Sequence, residues 1–141
     1  MLPTYTVSLQ QIKAFRIIRL FYSKALETYK LTLNDWVVLG NLYQNGGTRL
    51  VNLASILEVE SPLITNIITS LKRQGLVELK RDPFDKRTKL VALSKKAKIQ
   101  IPKIEEKLQK KQKEFFSLKS KKDINMYLDI CKKFANYNVK N

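Results

Sequence analysis

Between Ser61 and Arg73 the residue types sort by helical spacing into two sets. Ile64, Ile67, Ile68 and Leu71 share one face, and Pro62, Thr65, Asn66, Thr69, Lys72 and Arg73 share the opposite one. Short hydrogen-bonding side chains flanked by cations let a helix backbone come close to base edges, with Ser61 at its start. A second cationic group lies in Asp82–Pro83–Phe84–Asp85–Lys86–Arg87, where Lys86 and Arg87 are suited to phosphate and to the negative potential of a narrow groove. Other chemistries are poorly provided for. The chain has no His and one Cys, which removes imidazole acid–base catalysis, Ser–His–Asp triads, zinc fingers and an intramolecular disulfide. There is no Gly-rich phosphate loop and no metal-ligand cluster, so no enzyme, cofactor or metal is expected.

Charge points the same way. The 141 residues carry 27 Lys and Arg against 12 Asp and Glu, a net charge of +15, which favours a polyanionic partner. By thirds, residues 1–47 have 5 basic and 2 acidic groups, 48–93 have 8 and 5, and 94–141 have 14 and 5, so the net values are +3, +3 and +9. The lysines that crowd 95–122 suit either a solvated face or phosphate contact. No apolar run reaches the roughly 18 to 20 residues of a bilayer span, and residues 1–9 lack the features of a signal peptide. A cytoplasmic protein, nucleoid-associated when bound to DNA, is expected.

The elements that must position these groups are marked by helix punctuation. Ser8 with Gln11 predicts a capping box and a helix to about Lys30. Its apolar residues, among them Ile12, Phe15, Ile18 and Tyr22, surround more than one stripe, which implies burial against a second chain. Thr32 with Asp35 predicts the next helix, stopped at Gly46–Gly47. Leu50, Leu53, Ala54 and Leu57 form one face of a short helix, and Glu58–Val59–Glu60 leaves a tight connection before Ser61–Pro62. Gly75 ends that helix. Leu76–Arg81 and Thr88–Leu93 alternate as strands, giving a β-ribbon with a basic tip. Ser94 caps a following helix that Pro102 is expected to break or kink. Ser120 with Asp123 caps a last helix carrying Tyr127, Cys131 and Phe134 on its apolar side, where Cys131 reads as a buried structural thiol.

A short helix, a tight turn, a two-faced helix and a basic ribbon follow the order of a winged helix-turn-helix. The fold expected is mainly α with a small β-wing, with dimerisation helices at both ends. In these residues the chain resembles the MarR family (multiple-antibiotic-resistance regulators) of transcription factors. The resemblance covers about residues 10–135. It rests on Leu-Thr-Leu-Asn-Asp-Trp-Val-Val-Leu at 31–39, Asn-Leu-Ala-Ser-Ile-Leu-Glu-Val at 52–59, the segment 61–77, and Arg-Asp-Pro-Phe-Asp-Lys-Arg-Thr-Lys-Leu-Val-Ala-Leu-Ser at 81–94. The last carries the D-x-R of the wing tip followed by an apolar strand and L-[ST].

The resemblance implies a single domain over 1–141, with 32–94 binding DNA and 1–31 and 95–141 forming a homodimer. It places Ser61, Pro62, Thr65, Asn66 and Thr69 on the recognition helix, Lys86 and Arg87 at the wing tip, and Asp85 as the residue that stabilises the wing. Ile12, Phe15, Ile18, Tyr22, Tyr127, Cys131 and Phe134 fall in the dimerisation helices. The resemblance further implies a small-ligand pocket among the first, second and fifth helices, and a regulator, most simply a repressor, of a pseudo-palindromic operator. Asn66 and Ser70 stand where the family often has Arg, and Ala97 replaces a frequent Gly. Two other readings fit the bare residues: an architectural DNA-binding protein without sequence preference, and a winged helix used to bind another protein.

Overall fold

The computed structural model describes residues 1–117 and 119–138. The elements are α1 (Thr4–Glu27), α2 (Leu33–Asn45), β1 (Thr48–Arg49), α3 (Leu50–Leu57), α4 (Ser61–Arg73), β2 (Val77–Arg81), β3 (Lys89–Leu93), α5 (Lys95–Phe115) and α6 (Lys121–Ala135). Two compact units result, residues 1–105 and 106–141.

In the first unit the three strands form an antiparallel sheet ordered β1-β3-β2, with Val77 opposite Leu93 and Thr48 opposite Val91. Gly47 permits the close approach of β1, because a Cβ there would stand 3.1 Å from the Val91 carbonyl oxygen. Leu26, Val38, Leu39, Leu42, Leu53, Ile64, Leu71 and Val91 are the largest fully shielded side chains of this core. Each contributes roughly 1.5–3 kcal/mol from removal of apolar surface from water. All four aliphatic residues of the inner face of α4 are buried, as its spacing predicts.

Helix ends show where local sequence decides. The capping boxes Thr32/Asp35 and Ser120/Asp123 both form, each side chain taking the other residue's backbone N–H. The Ser8/Gln11 box does not: α1 begins at Thr4, with Pro3 as its cap five residues before Ser8. The Pro3 carbonyl accepts from Thr6 and Val7 N–H at 3.1 and 3.2 Å, and nothing in 4–7 opposes a helix. At the other end of α4, Gly75 adopts φ 71° while Leu76 N–H bonds the Leu71 carbonyl and Gly75 N–H that of Lys72. That is the Schellman pattern, which needs a left-handed residue. The same pattern ends α3 with Glu58 at φ 51°, and α1 with Lys30 at φ 56°.

Pro102 does not end α5, which runs unbroken from Lys95 to Phe115. Proline removes one backbone donor, and Pro102 stands on the exposed side of the helix. Ser94 caps this helix, its hydroxyl accepting from Ala97 N–H at 3.1 Å and donating to the Gly75 carbonyl at 2.7 Å.

Candidate nucleic-acid interface

α3 and α4 are joined by residues 58–60 and turn through 115°, within the roughly 90–120° of helix-turn-helix pairs. With its inner face buried, α4 leaves Ser61, Pro62, Thr65, Asn66, Thr69, Lys72 and Arg73 exposed. Every recognition residue expected on this helix therefore stands on its open side. The Thr65 hydroxyl donates to the Ser61 carbonyl at 2.9 Å and the Thr69 hydroxyl to the Thr65 carbonyl at 2.8 Å. Those protons are committed to the helix, so the methyl groups and hydroxyl lone pairs are what the two threonines offer a partner.

The wing depends on two carboxylates with different tasks. Asp85 Oδ1 accepts the Arg87 backbone N–H at 3.0 Å, and its carbonyl accepts from Thr88 N–H and Oγ1. Asp85 thus shapes the tip through the backbone and leaves the Arg87 guanidinium free. Lys86 and Arg87 are exposed, with no carboxylate in ion-pair range among the described residues.

The second carboxylate, Asp82, is almost completely shielded. Its Oδ2 accepts from Arg49 Nε at 2.7 Å, lies 2.7 Å from Arg49 Nη2 in an ion pair, and at 3.2 Å shares the single Thr88 hydroxyl proton with the Asp85 carbonyl. Its Oδ1 takes the Phe84 N–H at 2.9 Å. One side chain so joins β1, the end of β2 and the start of β3. The sequence marks Asp82 only as a turn residue, and Arg49, 33 positions away, carries no local sign of the pairing. The Phe84 N–H is the main influence holding the Asp82 carboxyl below its ordinary value of 3.8; burial opposes it, and Arg49 and Thr88 reinforce it.

Because the folded value lies below the unfolded one, ionised Asp82 stabilises the fold fully above the ordinary carboxylate range. That contribution is lost as pH falls through the lowered value. Asp82→Asn is expected to lower the urea midpoint at pH 7, with a smaller deficit at pH 3. An equal deficit at both values would show that the charge is not the source.

The faces assigned to dimerisation lie open. In α1, Ile12 and Phe15 are 67% and 66% exposed, while Ile18 and Tyr22 are half-buried. In α6 no residue is buried, and Tyr127, Phe134 and Cys131 are exposed. This corrects the expectation of a buried thiol: Cys131 lies on an apolar stripe and is exposed.

An open groove of about 970 Å³ lies in the first unit, between α1, the α1–α2 connection and α4. Arg19, Lys24 and Lys30 bring cations to it, and Leu63, Asn66 and Ser70 line it from α4. It differs from the expected pocket in that α4, and not α5, contributes a wall. Among the described residues no group of acidic, Cys or His side chains could hold a metal, and no single helix is long and apolar enough to cross a membrane.

A bent helix pair with one open polar face, followed by a β-ribbon with a cationic tip, defines a winged helix-turn-helix protein. The MarR family profile matches residues 31–89. The HTH-type transcriptional regulator YwoH of Bacillus subtilis is 33% identical over 102 residues, 72% of this chain and 74% of that one. The chain belongs to the MarR family of transcriptional regulators. Its fold is shared by a MarR transcriptional regulator from Methanosarcina mazei Go1, with a TM-score of 0.81 at 21% identity over 94% of this chain and 97% of that one. It is shared too by BpsR of Bordetella bronchiseptica, whose DNA binding is regulated by 6-hydroxynicotinic acid, with a TM-score of 0.83 at 19% identity over 94% of each chain.

Proposed function

We propose that this regulator is a homodimeric repressor in the cytoplasm that reads a pseudo-palindromic operator in double-stranded DNA. Each subunit lays α4 in a major groove and the 82–87 wing in the adjacent minor groove. The observation that carries this reading is the open face of α4, where Thr65, Asn66 and Thr69 stand between Pro62 and the cations Lys72 and Arg73. The major groove presents a distinguishable pattern of donors, acceptors and thymine methyls, and these side chains match it in kind. Asn66 suits adenine, the methyls of Thr65 and Thr69 suit thymine, and Lys72 and Arg73 suit phosphate.

The wing cations fix register, and the apolar faces of α1 and α6 join two copies. A small-molecule effector in the groove between α1 and α4 would touch Asn66 and Ser70 directly and so alter how α4 is presented.

Selection of bound duplexes from a random pool at physiological salt tests the reading, because nonspecific phosphate contacts are weakened there. The expected product is an inverted repeat with thymine-containing half-sites one helical turn apart. Retention of DNA without a motif would replace it with an architectural role. No retention at all would replace it with a protein-binding winged helix.

A further inference from the structure

We infer that Phe84 is an apolar wedge of the wing, which enters the minor groove beside Arg87 and sets a preference for the base step beneath it. The inference rests on the reading that the wing meets duplex DNA. At 94% exposure Phe84 is the most exposed aromatic side chain among the described residues. It differs from the open aromatics of α1 and α6, which lie within larger apolar faces, because its neighbours along the tip are Asp82, Pro83, Asp85, Lys86 and Arg87. A self-association surface would need more apolar area than one ring supplies.

The backbone that carries the ring is also held in place. Pro83 restricts the backbone before it, and the Asp82 carboxylate takes the Phe84 N–H at 2.9 Å. A second turn of the same kind follows at once, with Asp85 taking the Arg87 N–H at 3.0 Å. Asp82 is itself anchored to Arg49 in β1. A tip ordered in advance loses little freedom on binding, so the chain maintains an exposed apolar ring on a stiff mount.

Its surroundings identify the partner. Arg81, Lys86, Arg87 and Lys89 are exposed around it, with no carboxylate in ion-pair range among the described residues. A lone exposed aromatic ring on a tip that also carries exposed, unpaired cations fits a surface that is anionic at its rim and built of stacked rings within. The minor groove of a duplex has that composition. Side chains such as Phe act there by partly unstacking a base step, most readily a flexible pyrimidine–purine step. Sequence preference then arises in the groove whose hydrogen-bonding pattern is degenerate.

The test is a parallel selection from a random duplex pool with the full-length wild type and Phe84→Ala. Both proteins are expected to enrich the same half-site core, and only the wild type to enrich a pyrimidine–purine step at a fixed flanking position. On the best wild-type site, Phe84→Ala is expected to bind about tenfold more weakly, the scale of removing one base–aromatic stack. Its salt slope stays unchanged because no charge is removed. A 2-aminopurine placed at that step is expected to brighten with the wild type and not with the variant.

Identical flanking preference and affinity in the two proteins would overturn the inference. So would a loss of affinity accompanied by a shallower salt slope, which would assign the effect to the cations. Failure of the wild type itself to enrich a motif would remove the proposed function and this inference with it, an outcome distinct from the other two.

Discussion

Replacing Arg87 with Ala is expected to weaken operator binding by about a hundredfold or more and to leave the fold intact. The guanidinium is exposed and meets no carboxylate among the described residues, so its removal breaks no ion pair in the protein. The turn survives, because Asp85 holds residue 87 through its backbone N–H. A groove contact by a cation is worth ~1–3 kcal/mol, and a two-fold site gives up two of them. The slope of log K against log salt should become shallower by about one unit for each phosphate that the variant no longer neutralises. Fluorescence anisotropy on the selected operator from 50 to 200 mM salt measures both quantities. Full affinity with an unaltered slope would exclude the wing tip from the interface.

The second large effect concerns assembly. Phe15 and Phe134 are 66% and 64% exposed and lie on the apolar faces of α1 and α6. The double variant Phe15→Glu/Phe134→Glu is expected to sediment as a monomer at micromolar concentration, with the helical circular dichroism of the wild type. Its operator affinity should fall by about a hundred- to ten-thousandfold, since two linked half-site contacts become two independent ones. Dimer mass in sedimentation velocity would show that other residues join the copies. Cys131 on the same stripe of α6 gives a chemical reading of this contact: thiol labelling should be fast in the monomeric variant and slow in the wild type.

What could be read from the sequence followed the range of the interactions involved. The two faces of α4, both Thr/Ser–Asp capping boxes, the glycine stop at Gly75 and strands within a residue of those observed are all set by neighbours in the chain. The missing parts are set by contacts across it. β1 has two residues and exists through its pairing with β3, so it has no periodicity of its own. Arg49 and Asp82 meet only after the sheet forms. Glu58 and Lys30 occupy left-handed positions usually filled by glycine, and nothing in their side chains announces it. The Ser8/Gln11 pair has the right spacing for a cap but lies inside a helix whose start Pro3 determines. Cys131 shows the limit of pattern from the other side: an apolar stripe states that a face is to be covered, and does not state by which chain.

Arg49 is both the last residue of β1 and the residue preceding α3, and its guanidinium holds the base of the wing through Asp82. The helix pair and the base of the wing are therefore tied together by this ion pair as well as by the core they share. A half-site would be engaged as by a rigid stamp, not by two independent fingers. A wrong base under the wing would tilt the whole lobe and weaken contacts beneath α4 that are themselves correct. Mismatches in the two grooves should then combine non-additively in their cost, and Arg49 would enforce fidelity without touching a nucleotide.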